Sequence, residues 1–184
     1  MPVVFPVLHN KGITLRELAE IDLPAWFERL TDSESATLAG DPIANSMQDV
    51  IDGLEYHRHA FHTKKGLRWA IVPDHIGISV GSVGFNGFDL LNRSADIGYS
   101  VGRNYWNRGI ATRAVGMAIN YGFDVLDLER IEARVLIHNQ ASIRVLEKVG
   151  FVQDKLGTVN TGINNDVDQH ATFSLALDPV KQPD

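Results

Sequence analysis

The most informative stretch of this sequence is a loop of small and polar residues, 102–112, between a predicted strand and a long predicted helix. The first N–H groups of a helix have no partner inside it and lie at the positive end of its dipole, so they can bind a phosphate or pyrophosphate. Gly109 and Ala111 would allow an anion to approach the backbone closely, while Arg103 and Arg108 add positive charge. The loop therefore predicts an anion-binding site, and a glycine-bearing turn with solvated arginines is the alternative.

Two common phosphate-binding motifs are absent from the sequence. It contains no G-x-x-x-x-G-K-[ST] segment, and no G-x-G-x-x-G follows its first predicted strand with an acidic residue about 20 positions later. The loop is therefore neither the phosphate loop of a P-loop NTPase nor the dinucleotide-binding turn of a Rossmann fold.

Three segments, in order, resemble the GNAT N-acetyltransferase superfamily. Residues 105–112 (YWNRGIAT), followed by a helix, are similar to its acetyl-CoA pyrophosphate loop, written Q/R-x-x-G-x-G/A. Residues 95–99 (ADIGY) and 139–151 (NQASIRVLEKVGF) are similar to its RimJ/RimL-type branch, which contains ribosomal-protein alanine and serine N-acetyltransferases and relatives that act on other amines. The resemblance covers nearly the whole chain, because the order of the predicted elements matches as well.

The loop departs from the family pattern at two positions. Asn104 stands where the motif prefers Gln or Arg, and Asn107 stands where it usually has its first glycine. Asparagine is the non-glycine residue that best tolerates left-handed backbone angles, and binding through N–H groups depends on the shape of the backbone. We therefore expect the loop to retain cofactor binding, with some strain at Asn107.

The resemblance implies acetyl-CoA as cosubstrate and no metal. Tyr99 and Val101 would offer backbone groups to the pantetheine arm, which would add to the splayed sheet like an extra strand. The acetyl group would then lie between the strands that end at Val101 and Ile137. The cofactor-binding residues implied in this way are Tyr99, Val101, Asn107, Arg108, Gly109, Ile110, Ala111, Thr112, Asn139 and Ser142.

Direct attack of an amine on a thioester needs a neutral amine, a donor for the developing oxyanion and an acid for the departing thiolate. Many relatives supply the acid with a tyrosine seven residues after the asparagine, but this chain has Leu146 at that position. Ser142 lies three residues after Asn139, where RimJ/RimL-like relatives also have a serine proposed for this role. We assign to Ser142 the role of hydrogen-bonding or protonating the departing thiolate. The alternative is a serine that only supports the Asn139 cap.

The base that removes the amine proton is assigned to Asp96, by the same resemblance. Asp96 stands at the acidic position before the Ile-Gly-Tyr segment, and it could take the proton directly or through water. A carboxylate of ordinary pKa is a weak base for an ammonium group, so this role requires burial or a water relay. An aspartate with a structural place in the sheet, or transfer without a dedicated base, are the alternatives.

These residues predict an acetyl-CoA-dependent N-acetyltransferase that acts by direct transfer in a ternary complex. The branch resemblance places a protein or peptide N-terminus first as acceptor, and a small amine such as a polyamine or an aminoglycoside second. Transfer of another acyl group, such as succinyl, and acyl-CoA binding without turnover are the remaining alternatives. The branch is also compatible with a homodimer.

Composition excludes several other classes of protein. The net charge of −6, from 17 Lys and Arg against 23 Asp and Glu, argues against a general nucleic-acid-binding protein. No apolar run approaches the about 20 residues that cross a bilayer, and no signal-peptide pattern is present. The absence of cysteine excludes disulfides and a cysteine nucleophile and fits a cytoplasmic protein. The length of 184 residues predicts a single domain over 1–184, with a frayed tail at 178–184.

The predicted elements give the order βααβββαβαββ and a mixed α/β fold. We expect a mixed, mostly antiparallel twisted sheet with helices on both faces, splayed at the cofactor cleft as in the family it resembles. The predicted strands span residues 12–18, 67–72, 78–85, 94–101, 131–137, 151–159 and 170–177. The predicted helices span residues 23 to about 32, 47 to about 64, 108–126 and 139–149.

Residues 33–45 contain Gly40 and several small polar residues, and they are predicted to form a loop. Long loops in compact domains are often functional. The acidic residues around it, Asp32, Glu34 and Asp41, could attract a cationic acceptor or simply keep the loop soluble.

Overall fold

The computed structural model describes residues 1–160 and 167–177, which form an eight-stranded sheet with helices on both of its faces. The strands are β1 (Leu8–Asn10), β2 (Ile13–Glu17), β3 (Leu67–Pro73), β4 (Gly81–Asp89), β5 (Ser94–Val101), β6 (Arg130–Leu136), β7 (Val152–Asn160) and β8 (Val167–Ala176). The helices are α1 (Leu23–Thr31), α2 (Ser33–Ala39), α3 (Met47–His62), α4 (Ile110–Asp124) and α5 (Gln140–Lys148). The predicted mixed α/β class is confirmed, and so is the antiparallel arrangement of β3, β4 and β5.

The sheet opens between β5 and β6. Its strand order is β1-β2-β3-β4-β5-β6-β8-β7, and all neighbours are antiparallel except β5 and β6. These two parallel strands pair only between Ser94–Asp96 and Arg130–Glu132. Beyond that point, from residue 97 to residue 101, β5 has no register with β6 among the described residues. The strands therefore separate into a cleft towards their carboxyl ends.

The α4 face of the sheet, which α4 and α5 cover, holds the larger core. Trp69, Val83 and Ile97 come from three neighbouring strands and share this core with Ala114 and Ala118 of α4. Each of these side chains is at most 4% exposed. Because side chains alternate across a strand, the residues between them lie on the opposite face.

The α1 face of the sheet, which α1 and α3 cover, holds a smaller core. Ala70 of β3 packs there with Trp26 and Leu30 of α1 and with Val50 and Leu54 of α3. The helical spacing of apolar residues that predicts α1 and α3 thus corresponds to the sides that these helices bury. The two faces share the strands but contain different side chains.

Residues 33–45 do not form the predicted loop throughout, because residues 33–39 form α2. Asp32 caps this helix by accepting a hydrogen bond from the N–H of Ser35, and Gly40 ends it in a left-handed conformation with a φ of 70°. With two turns at most, α2 is too short to show a periodic apolar pattern. Its small and polar residues therefore resembled a loop.

Asp22 precedes α1 as predicted, but its carboxylate does not cap that helix. Its two oxygens accept hydrogen bonds from Arg16 at 2.7 and 2.8 Å, and one also accepts the N–H of Ser79 at 2.9 Å. This buried contact holds the segment before β4, which begins at Gly81 rather than at the predicted residue 78. A carboxylate that already accepts hydrogen bonds from Arg16, Ser79 and the N–H of Ala19 is not available to cap α1.

The two ends of the chain differ from the sequence analysis or lie beyond what can be compared with it. The three-residue strand β1 was not predicted, because three residues are too few for alternation to be visible. The predicted frayed tail at 178–184 lies outside the described residues.

Candidate active site

A cavity of about 480 Å³ lies where β5 and β6 separate. Its walls come from β5, β6, the loop before α4, the starts of α4 and α5, and the end of α2. The cofactor-binding residues implied by the sequence all line it, namely Tyr99, Val101, Asn107, Arg108, Gly109, Ile110, Ala111, Thr112, Asn139 and Ser142. Leu38 and Gly40 line it as well, and the sequence did not reveal them because α2 was predicted as a loop.

The loop before α4 presents an uncapped helix start to the cavity. Asn107 and Gly109 have left-handed φ angles of 59° and 69°, and no side chain caps α4. A Cβ added at Gly109 would meet no described atom within 4 Å, so the space beside this turn is open. The N–H groups of the first helical turn are therefore free of side-chain partners and suited to an anion such as pyrophosphate. The expected left-handed conformation of Asn107 is confirmed.

Two aromatic side chains hold the loop in place. The indole Nε1 of Trp106 donates a hydrogen bond of 2.6 Å to the carbonyl oxygen of Val101. The guanidinium of Arg108 lies over the ring of Tyr105, 5.7 Å from its centroid. The carbonyl of Val101, a residue predicted to contact pantetheine through its backbone, thus already accepts a hydrogen bond within the loop.

The two arginines of the loop have different environments. Arg108 lines the cavity, whereas Arg103 forms ion pairs with Asp32 at 2.7 Å and Glu34 at 2.8 Å at the start of α2. The hydrogen bonds from Arg103 lower the pKa of Asp32 to about 2. Arg103 therefore connects α2 to the loop, and it is not among the residues that line the cavity. Its positive charge also compensates the negative charges of Asp32 and Glu34.

Ser142 and Tyr99 form a hydroxyl pair inside the cavity. Their hydroxyl oxygens are 2.7 Å apart, and the Tyr99 hydroxyl also donates to the backbone carbonyl of Ser142 at 3.1 Å. Burial raises the pKa of Tyr99 to about 12, although the bond to Ser142 acts in the opposite direction. The phenol therefore stays protonated at neutral pH. The sequence analysis used only the backbone of Tyr99, although strand alternation puts its ring on the side of α5.

Asn139 connects α5 to α2. Its Oδ1 accepts the N–H of Ser142 at 3.0 Å and caps α5, and its Nδ2 donates to the carbonyl oxygen of Leu38 at 2.8 Å. Asn139 therefore fixes both the serine and the α2 wall of the cavity.

Asp96 is not among the residues that line the cavity. It lies on the α1 face of β5, and its carboxylate accepts a hydrogen bond from Arg134 at 3.1 Å. Its side chain is 38% exposed. The structure thus brings the predicted cofactor residues together and leaves the predicted base on the other face of the sheet, at the last paired position before β5 and β6 separate.

No group of three metal-ligating side chains occurs among the described residues. His57 of α3 stacks on Trp26 with ring centroids 5.8 Å apart. Burial, and then the nearby charge of Arg68, lower the pKa of His57 to about 3.

In the described ranges, no helix has the length and apolar character needed to span a membrane.

Residues 13–152 match the family described as the acetyltransferase (GNAT) domain. This match includes every residue that lines the cavity except His170.

Relatives and a solved structure agree with this match. The chain is 30% identical to an uncharacterized N-acetyltransferase, YoaA, of Bacillus subtilis over 82% of this chain and 85% of that protein. It is 25% identical to a spermidine N(1)-acetyltransferase of Vibrio cholerae over 79% of this chain and 82% of that protein. The structure of Mycobacterium smegmatis RimJ, in complex with a CoA disulfide, superposes with a TM-score of 0.80 and 26% identity, covering 92% of this chain and 84% of that one.

Proposed function

The chain belongs to the GNAT acetyltransferase family, and from that premise we propose that it transfers an acetyl group from acetyl-CoA to a primary amine. The preferred acceptor in this proposal is the N-terminus of a peptide or protein. The observation that carries the proposal is the cavity at the open end of β5 and β6, where the uncapped start of α4 and the unpaired edge of β5 meet.

The residues present fit CoA in two respects. The left-handed turn at Asn107 and Gly109 directs the first N–H groups of α4 to one place, which suits a pyrophosphate. Within the described part of the chain, residues 97–101 of β5 have no strand partner on the β6 side, which suits an extended pantetheine arm that pairs like a strand. Bound acetyl-CoA supplies the thioester whose carbonyl carbon accepts the amine.

The hydroxyl pair gives the leaving group its proton donor. In direct transfer, the amine nitrogen forms a bond to the carbonyl carbon, the carbon–sulfur bond breaks, and the sulfur leaves with the bonding electrons. Ser142 donates a hydrogen bond or a proton to this thiolate, and the phenol of Tyr99, 2.7 Å away, then turns its single hydrogen from the Ser142 carbonyl to the serine oxygen. The amine nitrogen gives up one proton, and where Ser142 has lost a proton to the sulfur it regains one from solvent. The net reaction converts the amine and acetyl-CoA into an amide and CoA thiol, so atoms and charge balance.

Asp96 is the proposed acceptor of the amine proton. Its place on the α1 face lets it act on an amine that enters the cleft from that side, opposite the hydroxyl pair. Because Asp96 is not among the residues that line the cavity, the proton passes through a water molecule rather than by direct contact. Asp96→Asn is expected to lower the rate mainly at low pH, where few amines are neutral.

A small polyamine is the second candidate acceptor. It is favoured by the similarity to the spermidine N(1)-acetyltransferase of Vibrio cholerae. Comparing kcat/KM for spermidine with kcat/KM for N-terminal peptides separates the two acceptors.

Calorimetric titration with acetyl-CoA, CoA and ATP tests the cofactor site first. We expect micromolar binding of acetyl-CoA and CoA and no binding of ATP. Thiol release in the presence of peptides and amines then tests transfer. Tight acetyl-CoA binding without turnover on any amine would favour a non-catalytic acyl-CoA-binding protein instead.

Ser142→Ala tests the role of the hydroxyl pair. We expect kcat to fall roughly 100-fold, the usual size of an acid–base contribution, while acetyl-CoA affinity changes little. Ser94→Ala, in β5 but outside the cavity lining, is the matched control and should leave kcat unchanged. If Ser142 serves only to begin α5, its alanine variant will turn over normally.

A further inference from the structure

Two arginines on the α1 face have guanidinium groups that the fold only partly satisfies. Arg29 of α1 is 6% exposed, and its Nε and Nη2 atoms are buried with no hydrogen-bond partner in the described part of the chain. The Nε atom of Arg68 in β3 is also buried and has no hydrogen-bond partner among the described residues. Burying a charged donor without an acceptor costs free energy, so an arginine in this state needs a reason.

Arg68 is not among the residues that line the cavity, but its guanidinium contacts Gly98, which is, and two glycines leave room for it. Arg68, Gly84 and Gly98 are in register on β3, β4 and β5 and share the α1 face. Nη1 of Arg68 donates to the carbonyl oxygen of Gly98 at 3.1 Å, and Nη2 donates to the side chain of Asn86. A Cβ at Gly98 would lie 2.8 Å from the Asn86 amide nitrogen and 3.4 Å from Nη2 of Arg68. Gly98 also lines the cavity, so the guanidinium lies beside the point where β5 and β6 separate.

The charges near this pair leave it positive. Asp41 attracts both arginines electrostatically, but neither forms an ion pair with it within the described residues. Asp22 also acts on Arg29, but its oxygens already accept hydrogen bonds from Arg16. Burial lowers the pKa of Arg29 to about 10, which still leaves it cationic at neutral pH.

The neighbouring rings add no compensating charge. His57 is neutral at neutral pH, because its pKa is about 3, and Tyr56 is a phenol. A chain of net charge −6 thus places one buried and one partly buried cation close enough to influence each other, and the second of them, Arg68, contacts the cleft strand β5.

We propose that Arg29 and Arg68 bind a carboxylate that the acceptor carries close to its reacting amine. A guanidinium presents paired N–H donors that match the two oxygens of a carboxylate. The inference rests on the proposed acetyl transfer and narrows its acceptor to free amino acids and to peptides whose first residue is acidic. Cationic polyamines become poor acceptors, since Arg103 already neutralises the acids at the start of α2.

Amino acids and their carboxamides test this directly. Both have the same amine, but the amine of the amide is the weaker base and is more often neutral, so a preference for the acid cannot come from its protonation. We expect kcat/KM with acetyl-CoA to favour the best amino acid over its amide by roughly 10- to 100-fold. Peptides that begin with Asp or Glu should be favoured over those that begin with Asn or Gln. Equal rates for acid and amide would overturn the proposal.

Arginine variants locate the effect. Arg29→Met and Arg68→Met should each remove most of the preference for the acid over the amide, measured as the ratio of their kcat/KM values. Arg58→Met is the control, because Arg58 lies in α3 on the solvent side and pairs with Glu20 at 2.7 Å. It should keep the full preference. A preference that survives both Arg29→Met and Arg68→Met would contradict the assignment.

The melting temperature separates a binding role from a structural one. Arg29→Met should melt at the same or a higher temperature without ligand, because it removes an unpaired buried charge. The preferred amino acid, added with CoA, should raise the melting temperature of the wild type but not of the variant. A variant that melts well below the wild type, with its preference intact, would make Arg29 a structural residue.

Succinyl-CoA distinguishes the source of the carboxylate. If the arginines bind an acidic acyl group instead, the wild type will prefer succinyl-CoA to acetyl-CoA and Arg68→Met will lose that preference, which would overturn the acceptor assignment. Absence of turnover with every donor and amine, while the amino acid with CoA still stabilises only the wild type, would refute acetyl transfer and leave the carboxylate site standing.

Discussion

The two sides of the cleft are built from different chemical groups. On the α4 side, backbone groups dominate, because the turn at Asn107 and Gly109 exposes the N–H groups of α4 and the edge of β5 is unpaired. On the α1 side, buried and partly buried charges dominate, namely Arg29, Arg68 and Asp96. A site made of backbone groups depends on conformation, whereas a site made of charges depends on which charges are paired.

This difference predicts opposite sensitivities to mutation. Substitutions that change φ should damage the α4 side and spare the α1 side. Substitutions that remove a charge should do the reverse, and their effect on stability should depend on whether that charge has a partner. Asp22 and Arg29 represent the two cases, since Asp22 is fully paired and Arg29 is not.

Asp22→Ala should have the largest effect on stability. It leaves Arg16 and the N–H of Ser79 without their buried acceptor, so we expect the free energy of unfolding to fall by about 3–5 kcal/mol. Urea unfolding measures this loss. Asp52→Ala, at an exposed carboxylate bonded to Gln48, should change it by less than about 0.5 kcal/mol.

The Asp22 variant also tests the separation of the two sides. Burial opposes ionisation of Asp22, but its hydrogen bonds outweigh burial and lower its pKa, so this contribution is present at neutral pH and disappears as the pH falls through the lowered value. The folded fraction should still bind acetyl-CoA normally. A large loss of acetyl-CoA affinity in folded Asp22→Ala would show that the two sides are coupled.

Gly109→Val should damage the α4 side selectively. A β-branched residue at a φ of 69° is strained by about 1–2 kcal/mol, and the loop would leave the conformation that exposes the helix start. We expect acetyl-CoA affinity to fall roughly 10- to 100-fold in calorimetry. Gly116→Ala, elsewhere in α4 and also facing open space, should bind normally and gain about 0.5–1 kcal/mol of stability. Normal binding by Gly109→Val would exclude a site that depends on the backbone of this turn.

The sequence revealed the α4 side of the cleft because its information is local. Residues 105–112 contain both the turn and the helix start, and Asn139 with Ser142 begins the next helix within a few positions. The left-handed Asn107 could be expected because only a few residue types tolerate that conformation. The hydroxyl pair was found only in part, since the contact between Tyr99 and Ser142 requires the packing of α5 on β5.

The contacts on the α1 side of the cleft could not be predicted from the sequence in the same way. The contact of Arg68 with Gly98 joins residues thirty positions apart and depends on the register of three strands. In the sequence, Arg68 is an arginine in a strand and Gly98 is part of a family motif, and nothing local relates them. The burial of Arg29 likewise depends on how α1 packs on the sheet, although its helix was predicted.

The pH dependence of stability offers a third test of the α1 side. The ordinary pKa of His57 is 6.5 and burial lowers it to about 3, so as the pH falls the unfolded chain takes up a proton that the folded chain refuses. Its contribution is complete above pH 6.5 and is lost progressively between these two values, by about 2 kcal/mol at pH 5.

His57→Phe keeps the ring on Trp26 and removes the titration. The variant should therefore lose about 2 kcal/mol less than the wild type between pH 7.5 and pH 5 in urea unfolding. His62→Gln, at an exposed position near the end of α3, should follow the wild type. Parallel pH profiles for the wild type and His57→Phe would mean that His57 is protonated in the folded protein.

Asn107→Gly is expected to have the smallest effect and to sharpen the comparison most. Glycine adopts a φ of 59° without the steric cost of a side chain, so the variant should gain up to about 1 kcal/mol, expressed as stability or as a few-fold tighter binding of acetyl-CoA. Lys64→Gly is the control, because Lys64 has the same φ of 59° at the end of α3, outside the cavity lining.

Both variants should raise the melting temperature, but only Asn107→Gly should change acetyl-CoA affinity. Tighter binding would show that strain in the turn limits the cofactor site, as expected for a site made of backbone groups. Weaker binding would show that the Asn107 side chain itself contacts the cofactor. The α4 side would then depend on side-chain identity as the α1 side does, and the distinction between the two sides would be one of charge alone.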